Sequence, residues 1–332
     1  MKYKTMNKVI NKKFDDWVRS IEDQDVRRLV NKNTIITGGC ITSMFLKEKI
    51  NDFDVYFTNI ETTYAVAKYY ADEMSDKYRR KIQPQIVKLE NEEWEPQAIS
   101  EEVLSYVPDI ENDVKYRVRC FIKSAGVAES SEYEGAIGDE EQQYDPETEQ
   151  EPISPSLDEI EEQEETTQRK KYQPVYITSN AITLTDKIQI VLRFYGEADV
   201  IHANYDFVHV TNYWTSEYRK IVDNILAYRS MGAKELVYTG SRYPLASIIR
   251  MKKFIGRGWT CNAGQIVKMV YQLNDLDLNN PRILEEQLTG VDVAYFHGLI
   301  SEVKKKHKDA KESGEDFDVK SYFLKVVEKI FD

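Results

Sequence analysis

Asp52 and Asp54 stand two positions apart in the run Asn51-Asp52-Phe53-Asp54-Val55-Tyr56-Phe57. In an extended chain, residues i and i+2 point to the same face, so the two carboxylates aim at one point. Just upstream lies Thr37-Gly38-Gly39-Cys40-Ile41-Thr42-Ser43, at the end of an apolar run. Gly38 and Gly39 let bare backbone N–H groups approach a phosphate, and Ser43 adds a hydroxyl donor near a helix N-terminus. Paired carboxylates beside such a loop are the layout that holds a divalent cation against a nucleoside triphosphate. The chemistry expected of the set is transfer of a nucleotide with two Mg²⁺ ions, or Mn²⁺ in their place. One ion lowers the pKa of the attacking hydroxyl and the other neutralises the departing diphosphate.

The elements that must position these groups follow from periodicity. Residues 5–30 carry apolar side chains at helical spacing (Val9, Phe14, Trp17, Val18, Ile21, Val26), and Asn31-Lys32-Asn33 ends the pattern. Thr34–Thr37 reads as a short buried strand, the glycines as a turn, and Ile41–Lys47 as a short helix whose N-terminus faces the loop. Phe53–Phe57 is a second strand with Asp52 at its entrance. Glu61–Tyr78 is helical, while 80–112 carries no clear pattern. Val114–Ile122 alternates as a half-buried strand with Lys115, Arg117 and Arg119 on a basic outer face. Three short strands are expected at 175–177, 181–184 and 188–194, and a fourth at Tyr205–Val210. From Ser216 onward helices are expected at 216–230, 244–256, 263–273, 282–288, 292–307 and 320–331. In the helix that Pro244 opens, Arg250, Lys253 and Arg257 form one basic stripe, and Gly258 ends it.

The loop and twin aspartates resemble the polymerase-β-like nucleotidyltransferase superfamily, which includes poly(A) polymerases and tRNA CCA-adding enzymes. The matching residues are ThrGlyGlyCysIleThrSer and AsnAspPheAspValTyrPhe. That resemblance implies a third acid on a neighbouring strand. Asp206, set in the apolar and aromatic run Asn204-Tyr205-Asp206-Phe207-Val208-His209, is the candidate; Asp186 and Asp113 are the competitors. By the same resemblance Asp206 completes the metal site and accepts the proton of the attacking hydroxyl. His209 reads as a structural histidine. Arg250, Lys253, Phe254, Arg257, Gly258 and Trp259 are similar, in order, to the helix that follows the catalytic domain in CCA-adding enzymes and bacterial poly(A) polymerases. This implies phosphate contact by Arg250 or Lys253. The family's base-selecting motifs, Arg-Arg-Asp-x-x-x-Asn-Ala and Glu-Asp-x-x-Arg, are absent, so CCA specificity is not expected. The texture of the whole chain resembles bacteriophage nucleotidyltransferases.

Bulk properties bound the rest. The 332 residues carry a net charge of −12, but residues 128–168 hold 16 acids and no Lys or Arg, and without them the chain stands at +4. That segment is expected to be a disordered acidic insertion. Three scattered cysteines and four histidines, in no metal-ligand spacing, exclude a zinc site and a disulfide framework and suit a reducing cytoplasm, the host's if the protein is viral. No run is long and apolar enough to read as a membrane span. The fold expected is α+β: a mixed-sheet nucleotidyltransferase domain at 1–212 interrupted by 128–168, then an all-helical domain at 213–332. The function expected is transfer of a nucleoside monophosphate from an NTP to an RNA 3′ end, releasing diphosphate. The alternatives are transfer to a protein or small molecule, and a silent nucleotidyltransferase fold serving in assembly or RNA binding. The nucleotide preference and the oligomeric state stay open.

Overall fold

A computed structural model of the protein describes residues 1–78, 81–90, 93–110, 115–122, 137–138 and 171–278, with single positions at 280, 283, 284, 287, 318 and 321. The expected insertion at 128–168 lies outside the described residues except for 137–138, and so do most of the helices expected beyond 280. The chain forms two compact units. The first comprises Met1–Ala203 with Val210–Asn224, and the second comprises Asn204–His209 with Ile225–Asp332.

The first unit is built on an eight-stranded sheet in the order β11-β10-β1-β2-β9-β8-β7-β6. Its strands are β1 (Thr34–Thr37), β2 (Phe53–Phe57), β6 (Ile137–Gly138), β7 (Pro174–Ile177), β8 (Ala181–Leu184), β9 (Ile188–Val191), β10 (Tyr213–Thr215) and β11 (Lys220–Val222). All pairings are antiparallel except β2 with β9. A second sheet, β4-β3-β5, joins β3 (Ile82–Glu90), β4 (Glu93–Gln97) and β5 (Tyr116–Ile122). With its helices, this is the expected mixed, α+β architecture.

One face of the large sheet carries the core. Ile36, Phe53, Val55, Phe57, Ile188 and Ile190 alternate onto it and are all buried. Against that face packs α1 (Tyr3–Ser20), whose buried Met6, Ile10, Phe14 and Trp17 recur at three- to four-residue steps. Phe14 lies 4.8 Å from the Trp214 ring of β10, and Trp17 Nε1 donates to the Tyr70 hydroxyl of α4 (Ile60–Tyr78) at 2.8 Å. Asn11 Oδ1 accepts from Trp214 Nε1 at 2.9 Å, which ties the helix to the sheet.

Several expected elements change. The single helix expected over 5–30 is two, α1 and α2 (Gln24–Asn33), because Asp23 caps α2 by accepting from the backbone N–H groups of Asp25 and Val26. Arg117, expected on an exposed basic face of β5, is only 6% exposed. Residues 80–112, which carry no clear sequence pattern, supply β3, β4 and the short helix α5 (Glu101–Leu104). The helix expected at 216–230 begins instead as the β10–β11 hairpin, and helix resumes only at α7 (Ile225–Ala233). The strand expected at Tyr205–Val210 does not form. It is a bend with one bridge, Phe207 to Tyr238, followed by a 3-10 turn at Val208–Val210.

In the second unit, α8 (Pro244–Gly256) and α9 (Ala263–Asn274) form where expected. Pro244 opens α8 in the first turn, where its missing N–H costs nothing. Asn262 caps α9 by accepting from the Gln265 N–H. His209 is fully buried among rings, 4.5 Å from Phe254 and 4.4 Å from Trp259. Burial, and then the nearby Arg257 charge, push its pKa down to about 3, so it is a neutral core group. No helix among the described residues is long and apolar enough to cross a membrane.

Candidate functional site

On the face of the large sheet opposite the core, polar residues form a row in register. Thr37 of β1 faces Asp54 of β2, Asp54 faces Gln189 of β9, and Gln189 faces Thr183 of β8. Residues paired in register share a face, so this row puts a hydroxyl, a carboxylate, an amide and a hydroxyl side by side. Asp52 precedes β2 by one residue, and its charge acts directly on Asp54. The sequence produces this face by alternation: Phe53 and Val55 turn to the core, so Asp54 between them turns away.

Asp54 holds an unusual carboxylate. Burial, and then the neighbouring Asp52 charge, raise its pKa well above the ordinary carboxylate value. Among the described residues no hydrogen-bond donor or cation reaches it. An acid placed in that environment is expensive for the fold, and such expense concentrates at functional sites. The Cys40 thiol is drawn into the same field. Burial raises its pKa well above the usual thiol value, and Asp54 and Asp52 add to the effect, so Cys40 is a protonated structural group.

The glycine turn sits directly beside Asp54. Thr37 ends β1 opposite Asp54, and the chain then reverses into α3 (Gly39–Leu46). Gly38 adopts φ 88° and ψ −151°, a region closed to side chains. Its N–H is held by the Val210 carbonyl at 3.3 Å. Gly39 starts α3, and a methyl built on it meets nothing within 4 Å, so open space lies against that backbone. No side chain caps α3 at Gly38. The helix starts at the end of β1, where Thr37 stands opposite Asp54, so the positive end of its dipole lies near that carboxylate. Ser43 lies one turn further on the same helical face and is 8% exposed.

Thr37 fixes the end of β1. Its hydroxyl donates to the Asn212 carbonyl at 3.0 Å and lies 2.8 Å from His202 Nε2. With the hydroxyl proton directed at the carbonyl, Nε2–H is the donor to Thr37. Burial pulls the His202 pKa down to about 4, which keeps the imidazole neutral near pH 7. His202 belongs to the short helix α6 (Ala198–His202), and sequence reasoning missed it because its partner is 165 positions away.

The structure thus brings Gly38, Gly39, Ser43, Asp52 and Asp54 together in the first unit. Asp206 and Arg250 come together in the second unit, where Arg250 Nε donates to Asp206 Oδ2 at 2.7 Å. Asp206 is 6% exposed, and its backbone carbonyl also accepts from the Thr239 N–H. Lys253 lies one turn beyond Arg250 on α8. Among the described residues no group of three or more His, Cys, Asp or Glu side chains is placed to hold a metal ion. The donor set that does fit a divalent cation is Asp52 with Asp54: two adjacent oxygen ligands whose mutual repulsion a cation would relieve.

Residues 8–234 match the model of the Gad2: Gabija anti-defense 2 family, and the chain belongs to that family. A search of curated proteins finds no match. Among solved structures, the Thermotoga maritima CCA-adding enzyme complexed with tRNA-CCA is similar at a TM-score of 0.34 and 10% identity. That alignment covers 93% of this chain and 65% of the enzyme's, so the chain spans less than two thirds of that enzyme's length. A likeness at that level carries no argument about activity.

Proposed function

We propose that the protein is a Mg²⁺-dependent nucleotidyltransferase that serves an anti-defense role. The observation that carries this reading is the register of β1 with β2. It sets the Gly38–Gly39 turn and the start of α3 beside a carboxylate that no cation among the described residues reaches. A phosphate on the helix and a cation on the carboxylates satisfy both at once.

In this reading Asp52 and Asp54 hold the metal, which when bound neutralises the triphosphate and lowers the pKa of the attacking hydroxyl. The backbone of Gly38 and Gly39 and the Ser43 hydroxyl bind the triphosphate. The hydroxyl oxygen of the acceptor forms a bond to the α-phosphorus of the NTP. The bond from that phosphorus to the bridging oxygen breaks, and diphosphate leaves. The hydroxyl proton passes to a carboxylate, the role proposed for Asp206 together with that of third metal ligand. For Asp206 to do so, its ion pair with Arg250 must open or share, since one oxygen already accepts from the guanidinium. Arg250 and Lys253 support phosphates of the substrate or acceptor. The acceptor proposed first is an RNA 3′ end.

Family membership favours a second reading of the acceptor. A protein that counters a defense system has a component of that system as its natural target, and a hydroxyl on such a component accepts a nucleotide by the same chemistry. The test is label transfer: the protein, Mg²⁺, each α-labelled NTP in turn, and either RNA or the defense proteins. Label on RNA supports the first acceptor and label on protein the second. Transfer that survives Asp52→Ala and Asp54→Ala removes the proposed site. No transfer to any acceptor, with anti-defense function retained in the Asp54→Ala variant, leaves a silent binding module.

A further inference from the structure

The polar face beside Asp54 contains one group that the proposed chemistry does not use. Gln189 lies on β9, the strand paired in parallel with β2, directly in register with Asp54. Adjacent strands stand about 4.8 Å apart, so its amide reaches the space over Asp54 without any backbone movement. Gln189 is half-buried, and its amide forms no hydrogen bond with any described residue. An amide carries two acceptor lone pairs and two donors, so its oxygen is available to a ligand that enters that space.

The other members of the row are accounted for. The Thr37 hydroxyl is committed to Asn212 and His202. Thr183 stands two strands from Asp54, about 9.6 Å away. Cys40 is a buried, protonated thiol, a poor ligand for a hard cation. Lys187, at the entrance of β9, donates to the Ile50 carbonyl at 3.0 Å and carries the wrong charge. Among the described residues of this row, Gln189 is left to offer a neutral oxygen beside Asp54.

We infer that Gln189, through its amide oxygen, adds a neutral ligand to the divalent-cation site that Asp52 and Asp54 begin. The inference rests on the reading of those two aspartates as metal ligands. Being neutral, this oxygen adds a ligand without adding charge. Hard cations accept amide oxygens alongside carboxylates, and their affinity rises with ligand charge. The site therefore binds free cation weakly and waits for the triphosphate to supply further oxygens.

The experiment is Mn²⁺ titration of the full chain without nucleotide, followed by calorimetry or by the loss of the free-ion EPR signal. Gln189→Ala is expected to weaken Mn²⁺ binding about tenfold, as supporting metal-site groups do on removal. Gln189→Glu, which adds a charge at the same reach, is expected to tighten it about tenfold. Asp54→Asn should remove binding at this site. If both Gln189 variants bind like the wild type while Asp54→Asn does not, Gln189 is outside the set and the inference fails alone. If Asp54→Asn binds like the wild type, the metal reading of the aspartates fails and takes the inference with it. Should Gln189→Ala not fold, the Gln189→Glu arm still decides, because it keeps the side chain's length and shape.

Discussion

Asp54→Asn should stabilise the fold while abolishing activity, and the amount can be worked from the structure. Asp52 and Asp54 are two residues apart along an extended chain, about 6.5 Å. At an effective dielectric constant of about 20, two like charges at that distance repel by about 2.5 kcal/mol. Asp54 is partly exposed, so solvent screening reduces this to about 1 kcal/mol, and the cost of burying the charge adds to it in the same direction. The amide loses nothing in exchange, since no described residue donates to the carboxylate. The direction with pH follows from the raised pKa of Asp54. Above the unfolded aspartate pKa of about 3.9, the native state holds a proton that the unfolded state has released. Stability contributed by that proton is full below this value and is lost as pH rises through the native pKa. The variant lacks that slope, so its advantage is largest at pH 7–8. A gain of about 1 kcal/mol moves the melting temperature of a unit this size by about 2–4 °C. Differential scanning calorimetry at pH 5 and pH 8, with and without Mg²⁺, reads all of it. Wild-type protein should gain stability from Mg²⁺ and the variant should not, because ligand binding stabilises only a fold that holds the ligand. A variant less stable than wild type at pH 8, or one equally stabilised by Mg²⁺, refutes the reasoning.

The glycines separate fold from site. Gly38→Ala should destabilise by about 1–3 kcal/mol, because a side chain is forced into a glycine-only backbone region, and a thermal melt will show it. Gly39→Ala should leave the melt unchanged or raised and still lower NTP affinity in a binding titration, because its methyl enters the open space where phosphate is proposed to lie. The buried histidines predict acid lability. With pKa values pulled down to about 4 for His202 and about 3 for His209, the unfolded state takes up protons first as pH falls below about 6.5. By pH 5 this costs up to about 2 kcal/mol per histidine, and His209→Phe, which suits the Phe254–Trp259 cage, should flatten the dependence of melting temperature on pH. Arg250→Met should destabilise the second unit by about 1–3 kcal/mol by leaving the Asp206 carboxylate without its guanidinium, and urea unfolding measures it. If Asp206 serves as proposed, the same variant also changes the pH profile of transfer.

What the sequence made legible is what is local. Strand, glycine turn, helix and the Asp-x-Asp strand all lie within residues 34–57, and each is set by alternation or by a residue that only a turn accepts. Pro244 and the basic stripe after it marked α8 for the same reason. The errors fall where a short pattern is ambiguous or a distant partner decides. Tyr205–Val210 alternates well enough to read as a strand, yet Asp206 and Phe207 bridge and bond to residues 238–239 as a bend. Residues 216–230 look helical, but β10 and β11 are three-residue strands, too short for periodicity to register.

The candidate site divides along the same line. Asp52 and Asp54 could be paired from sequence because i and i+2 share a face in any strand. The neighbour of Asp54 across the sheet could not, because nothing local in Ile188-Gln189-Ile190 says which strand it joins or in which register. The third acid that the resemblance implies for the metal is Asp206, an acid in an apolar run. The structure gives that acid an arginine partner and gives Asp54 an amide neighbour. Charge alone could have warned of the first: a carboxylate 6% exposed needs a cation, and the nearest basic stripe was already visible at 250–257. Nothing in composition or spacing points to the second. A glutamine between two isoleucines acquires meaning only when a parallel strand lays it beside an aspartate whose charge no described residue answers.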